Sequence, residues 1–298
     1  MHFHIILNRQ GGTLRTLDVD AFAAKSKATL EEAGHTVSTL TVDGKKIEEA
    51  LTQAVEGPAD VIMVGGGDGT VSAAAGKLMN TSKALAILPA GTMNLFARSL
   101  AIPLQLETAV NAFAGGEIRS VDLARANDRV FVHQFSVGLH AKLIELREKA
   151  EFRSRLGKIW ASARAGLNAL FRPPNLKVTL EMDDEMVEVA TTGVGISNNP
   201  FGEGHLPYAD MPDKGVLGVY VTRAWRKRDM ALFALKMAMG QWKTNPHVDI
   251  YQSRKVTLKL KSKPKRFGCA IDGELCDLDG STRIEILPGA LKVLVAPE

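Results

Sequence analysis

The spacing of hydrophobic and polar positions changes character once along the chain. Up to about residue 120, short apolar runs alternate with stretches of helical period. Phe3–Asn8 predicts a strand, and Val19–Ala33 a helix stopped by Gly34. Thr36–Val42 is β-branched and strand-like, and Lys45–Val55 predicts a short amphipathic helix closed by Gly57-Pro58. Val61–Val64 predicts a buried strand, Val71–Met79 a helix, Ala84–Leu88 a strand and Met93–Leu100 a helix. Strands alternating with helices imply parallel βαβ units.

From Ser120 onward strand patterns dominate. They are Val121–Ala126, Arg129–Phe135, Lys177–Met182, Val187–Ile196, Val216–Thr222, Lys255–Lys261, Arg283–Leu287 and Leu291–Val295. Two helical stretches interrupt them, Ala141–Phe171 and Arg228–Lys243. The expectation is an α/β domain over 1–120 with a parallel sheet, then a β-rich, mostly antiparallel domain over 121–287.

Composition narrows the class. A chain of 298 residues with 45% hydrophobic and 23% charged residues is ordinary for a soluble globular protein. The net charge of +4 is too mild to argue for nucleic acid, and no recognition motif accompanies the basic clusters. The two cysteines, Cys269 and Cys276, form no CxxC, so neither zinc nor a redox motif is indicated and a reduced cytoplasmic setting fits. The first residues, MHFHIILNRQ, lack the layout of a signal peptide, and no apolar run approaches the roughly 20 residues of a membrane span.

The chemistry begins at VIMVGGGDGT, Val61–Thr70. Glycines remove side chains, so a large ligand can touch the backbone. A helix that starts there turns unpaired N–H groups and a positive dipole end toward the same point, which makes an anion site. In open parallel sheets such sites lie at the carboxyl ends of strands. Asp68 among phosphates implies a cation, Mg²⁺, held directly or through water. The plain alternative is a tight strand–helix turn with Asp68 capping the helix. Walker A is excluded because neither Ser nor Thr follows Gly76-Lys77, and GxGxxG fails at Thr70. A second strand end, Ala84–Pro103, carries Gly91-Thr92 after Pro89, again with an expected open helix start. A third, HIILNRQGG, ends in Asn8 before Gly11-Gly12.

These segments resemble the diacylglycerol-kinase catalytic family, nearest to its stand-alone bacterial-type soluble lipid kinases. The resemblance rests on Gly66-Gly67-Asp68-Gly69-Thr70 and on Leu88-Pro-Ala-Gly-Thr-Met-Asn-Leu-Phe-Ala-Arg98. Asn8 and the late segment Ile271-Asp272-Gly273-Glu274, followed by LPGALKVLVAP, extend it over nearly the whole chain. It implies a phosphofructokinase- and NAD-kinase-like α/β domain and an antiparallel sandwich, with the final strand, about 288–298, returning to the first domain. It implies ATP and Mg²⁺ as cofactors and a hydroxyl of diacylglycerol or a related lipid as acceptor. By the same resemblance Asn8, Gly66, Gly67, Asp68, Gly69, Thr70, Gly91, Thr92, Asn94 and Arg98 line the nucleotide site. Asp68 and Asp213 serve metal, and Asp272, with Glu274 beside it, is the candidate general base. Two rival readings are an NAD kinase-like enzyme and a non-catalytic, nucleotide-regulated lipid-binding protein.

The sequence departs from the family pattern at four points. Arg9 stands for the usual proline and Leu95 for the usual aspartate. In the loop expected to bind a structural magnesium, Asp213 remains, but Lys214 and Gly218 replace acids. Lys142–Arg172 reads as a basic amphipathic helix suited to an anionic membrane surface, or as a core helix with a solvated basic face. Arg223–Arg228 and Lys259–Arg266 are further basic clusters. Together they suggest a cytoplasmic protein that visits the inner face of the membrane peripherally and transiently. A homodimer is admitted, and the sequence fixes no oligomeric state. His2 and His4, on one strand face, and His205, in a glycine-rich loop, are weaker candidates for metal and for the acceptor pocket.

Overall fold

The computed structural model describes residues 1–151, 174–261 and 268–297. In chain order the first elements are β1 (His2–Asn8), α1 (Val19–Glu32), β2 (Thr36–Val42), α2 (Ile47–Glu56), β3 (Val61–Gly66), α3 (Asp68–Leu78), β4 (Ala84–Pro89), α4 (Leu95–Ser99) and α5 (Leu106–Ala114). There follow β5 (Glu117–Ala126), β6 (Arg129–Phe131), β7 (Gln134–Gly138), α6 (Leu139–Glu151), β8 (Leu176–Glu181), β9 (Met186–Thr191), β10 (Gly193–Ser197) and β11 (Leu217–Thr222). The remainder are α7 (Lys227–Ala238), β12 (Val248–Ser253), β13 (Lys255–Leu260), β14 (Cys269–Ile271), β15 (Glu274–Cys276) and β16 (Ser281–Val295).

Two compact units result: Met1–Leu123 with Asp210–Lys214 and Leu287–Glu298, and Ala124–Ala209 with Gly215–Ile286. In the first, parallel strands run in the order β2-β1-β3-β4, and the end of β16 pairs parallel with the start of β4. Every residue of β3 and β4 is buried. Continuous burial is what a parallel strand covered on both faces requires, and it explains why these segments read as unbroken apolar runs.

The second unit is an antiparallel sandwich. One sheet has the order β12-β11-β10-β7-β14-β15; facing it, β8 pairs with β9 and β13, and β13 with the first half of β16. Phe135, Val137, Val194, Ile196, Val219 and Val221 meet Leu180, Val256, Leu258 and Ile284 in its core. Alternate residues of β7, Gln134 and Ser136, therefore lie on the opposite face of that sheet.

Several boundaries differ from the pattern. The helix expected at Val71 starts at Asp68, so the glycine stretch is mostly strand and helix, with only Gly67 between them. The strand expected over Arg129–Phe135 breaks after Phe131, because the N–H groups of Val132, His133 and Gln134 leave the ladder for the Asp272 carboxylate. The strand expected over Val187–Ile196 breaks at Thr192, whose carbonyl accepts from Leu139 N–H instead. The two last strands are one, bent at Gly289 (φ +61°), where the Gly289 N–H donates to buried Asp122. α6 covers the beginning of the long helix expected over Ala141–Phe171; the rest, like much of Lys259–Arg266, lies outside the described residues.

Candidate active site

The carboxyl ends of β1, β3 and β4 bring three glycine-bearing segments together. A Cβ on Gly11 would lie 3.1 Å from Gly66 Cα, and one on Gly91 would lie 2.8 Å from Gly67 Cα. Thr13 N–H donates to the Ala90 carbonyl at 2.8 Å, and Ala90 N–H to the Gly66 carbonyl at 3.1 Å. Gly12 is the tightest point: its φ is +23°, and a Cβ there would fall 1.9 Å from the Ala90 oxygen. Glycine here serves the approach of one loop to another before any ligand is considered.

Polar side chains lock the same corner. Asn8, buried, donates from Nδ2 to Thr70 Oγ1 at 3.2 Å and accepts from Gln10 N–H at 3.0 Å. Asn94 sits at φ +49°, accepts from Gly91 N–H at 2.8 Å and donates to the Gly91 carbonyl at 2.9 Å, so it clamps its own loop. Arg98 Nε donates to the Met93 carbonyl at 2.9 Å. Thr92 and Gly69 are exposed beside them.

Asp68 is the first residue of α3, and it does not cap that helix. Its two carboxylate oxygens accept from Leu95 N–H at 2.8 Å and Asn94 N–H at 3.1 Å. The helix start expected to stand open after Gly91 is thus closed by Asp68. The N–H groups left at this corner are those of the first turn of α3, from Asp68, Gly69 and Thr70, since Val71 N–H already donates to the Gly67 carbonyl.

These groups fit a polyphosphate and its cation. The first turn of α3 offers backbone donors, and Arg98 adds positive charge. Each Asp68 oxygen, having accepted one N–H, retains a lone pair for a magnesium ion or its water. Asp213 is exposed, and among the described residues no group of three or more His, Cys, Asp and Glu assembles into a metal cage. His4 Nδ1 lies 2.7 Å from Ser38 Oγ, and burial pushes its ring below the usual histidine range.

In the second unit Asp272 tops the β14–β15 hairpin at φ +47°, with Gly273 at φ +84°. Its carboxylate accepts from the N–H groups of Val132, His133 and Gln134 at 2.9, 2.9 and 3.0 Å, and its own N–H donates to the Gln134 carbonyl at 2.9 Å. Such a cradle holds the side chain in one orientation. Glu274 is exposed, with Arg129 at 3.8 Å. Cys269 and Cys276, for which the spacing suggested no joint role, are paired across the hairpin and joined by a disulfide. The bond brackets Asp272 and Glu274.

A cavity of about 260 Å³ lies on the outer face of the sheet, lined in part by β7, the strand that pairs with β14. Leu139 and Leu143 of α6, Phe233 of α7, and Phe201, Tyr220 and Trp242 give it apolar walls. Gly195 lines it too, where a Cβ would come no nearer than 3.9 Å to anything. Polar groups gather at the β7–α6 junction, where Ser136 Oγ lies 2.8 Å from His140 Nδ1 and Gln134 Nε2 reaches the same ring at 3.3 Å. Gln134 is thus shared by the cavity and the Asp272 cradle. The sequence reading missed this polar set; the alternation Gln134-Phe-Ser136-Val-Gly138 was its only trace. His205 is exposed and does not line the cavity, whereas Pro207, two residues on, does.

Comparison with known proteins matches two stretches of the chain to two known domains. Residues 2–126 match the diacylglycerol kinase catalytic domain, and residues 134–295 match the YegS C-terminal NAD kinase beta sandwich-like domain. A Staphylococcus saprophyticus protein named diacylglycerol kinase is 24% identical over 77% of this chain and 76% of its own. An uncharacterized Synechocystis protein is 28% identical over 99% of this chain and 70% of its own. A solved Bacillus anthracis diacylglycerol kinase superposes with a TM-score of 0.74 at 21% identity, covering 99% of this chain and 97% of that one, which establishes the shared fold.

Proposed function

The chain belongs to the lipid-kinase family that joins a diacylglycerol-kinase catalytic domain to a YegS-type sandwich domain, and on that premise we propose that it transfers the γ-phosphoryl group of ATP to a hydroxyl of a neutral acylglycerol or closely related lipid. The observation that carries the reading is the meeting of three glycine-bearing strand ends at one corner, closed by the bond from Asp68 to Leu95.

In this reading the first unit binds the nucleotide. Donors from the first turn of α3 take the phosphates, Asn94 and Asn8 keep the loops in place, and Arg98 balances negative charge. Magnesium–ATP, when bound, supplies the transferable phosphoryl group and shields its charge. Asp68 would hold the ion, directly or through water, with its remaining lone pairs.

The second unit takes the acceptor. Its acyl chain occupies the apolar cavity, and Gln134, Ser136 and His140 meet the polar head. Among the described residues no acidic side chain lines the cavity. Asp272, fixed by three backbone donors, accepts the hydroxyl proton as the new O–P bond forms and the bond to ADP breaks. Glu274 adds negative charge nearby and is a positioning residue.

The test is transfer from γ-labelled ATP, with Mg²⁺, to a panel containing mono- and diacylglycerol, a sphingoid base, ceramide, phosphatidylglycerol and NAD. Label in an acylglycerol supports the proposal. Label in NAD alone, or in no acceptor while ATP still binds, sinks it in favour of one of the rival readings.

A further inference from the structure

We infer that α7, with Trp225 just before it, is the surface by which this protein rests on an anionic lipid bilayer. α7 is apolar on two opposite sides. Met230 is 1% exposed and packs with Leu139, Ala224 and Phe233, and Phe233 also lines the cavity. On the other side Leu232 and Leu235, with Met239 one residue past the helix end, are 37%, 55% and 45% exposed. At about 100° per residue these three fall within one narrow stripe, turned well away from Met230. Trp225, 38% exposed, precedes the helix.

The charge around the stripe selects the partner. Arg226, Lys227 and Arg228 are all exposed between Trp225 and the stripe. Arg228 and Asp229 pair with each other and cancel, so the net positive charge of this turn comes from Arg226 and Lys227. Apolar side chains beside a cluster of Arg and Lys, with a tryptophan at the rim, fit the boundary of an anionic leaflet, where the cations meet headgroups and the apolar groups enter the acyl region. A protein partner of acidic character would match the cations but not the stripe. Phe233 of the same helix lines the proposed acceptor cavity, which brings that cavity close to the bilayer. That last step rests on the kinase reading; the membrane contact does not.

The experiment uses the full-length protein and vesicles of phosphatidylcholine alone or mixed with phosphatidylglycerol. Cosedimentation and the shift in tryptophan emission are measured for wild type, Leu235→Glu with Met239→Glu, and Arg226→Glu with Lys227→Glu. Wild type is expected to bind the mixed vesicles, with affinity falling about tenfold in each double variant and at about 0.5 M salt. Leu235 and Met239 are exposed, so those variants should melt with wild type and should phosphorylate a dispersed short-chain acylglycerol at the wild-type rate. Unchanged vesicle binding in both double variants overturns the inference, as does no vesicle binding by wild type. So does a wild-type dimer that the Leu235→Glu, Met239→Glu variant dissociates, since a second copy would then cover the stripe. Vesicle binding that behaves as expected with no phosphorylated lipid would leave this inference standing and defeat the kinase reading alone.

Discussion

Asp68 and Leu95, at the starts of two different helices, are joined by a 2.8 Å hydrogen bond from the Leu95 N–H to the Asp68 carboxylate. The bond ties the β3–α3 corner to the β4–α4 corner. It also explains how Leu95 is tolerated where the resembling family carries an aspartate: the backbone N–H makes the contact, and the side chain is half-buried. Leu95→Asp would bring a second carboxylate to Asp68. Without divalent cation it is expected to lose about 1 kcal/mol through like-charge repulsion. With Mg²⁺ its melting temperature should rise more than that of wild type. An equal rise in both would argue that no cation binds beside Asp68.

Gly12→Ala is expected to be among the most damaging single-methyl changes in the chain. A Cβ there meets the Ala90 carbonyl oxygen at 1.9 Å, and φ is +23°. Gly34→Ala is the control, because φ is +86° but the surrounding space is open. Urea denaturation should show a loss of about 3 kcal/mol or more for the first and about 1 kcal/mol for the second. Equal losses would mean that the approach of the first loop to Ala90 is not a tight one.

His133 stacks on Phe201 with ring centroids 5.3 Å apart. Burial, with His140 adding a smaller repulsion, lowers its pKa to about 3. The unfolded chain therefore takes up this proton near pH 6.5 while the folded chain does not until about 3. The stability this residue contributes is complete above 6.5 and is lost as pH falls toward 3, by at most about 1.4 kcal/mol per pH unit. His133→Gln should flatten the stability profile between pH 6.5 and 4.5. Below that window Glu285, held down by hydrogen bonds from Arg125 and Arg283, adds its own loss in both proteins.

The Cys269–Cys276 bond closes a ring with a sequence separation of seven around Asp272. Reduction, or replacement of both cysteines by serine, is expected to lower stability by about 2–3 kcal/mol through the freedom restored to the unfolded chain. If the bond also stills the Asp272 hairpin, turnover should fall while the KM for ATP stays constant. Unchanged stability and turnover on reduction would make the bond incidental.

Much of the fold was legible because its signals are local. β3 and β4 are central parallel strands, and their unbroken apolar runs say so directly. Thr36–Val42 matched its strand at both ends. What could not be read depends on distant partners. Nothing near Arg129–Phe135 shows that three of its N–H groups turn to a carboxylate more than 130 positions away. Asp68 looks like a helix cap or a metal ligand, and its hold on Leu95 spans 27 positions. The cavity is lined from β7, β10, β11, α6 and α7, which only the fold brings together, and the disulfide became visible only once the hairpin register set Cys269 opposite Cys276.

The most direct test of the account is single-turnover phosphoryl transfer from γ-labelled ATP to an acylglycerol in mixed micelles, comparing wild type with Asp68→Ala and Asp272→Ala. The account predicts labelled lipid from wild type and at least about a thousandfold slower transfer from both variants, with nucleotide still bound by the Asp272 variant. Transfer by Asp272→Ala at the wild-type rate would contradict it, and would reduce that carboxylate to an anchor for the three backbone N–H groups it holds.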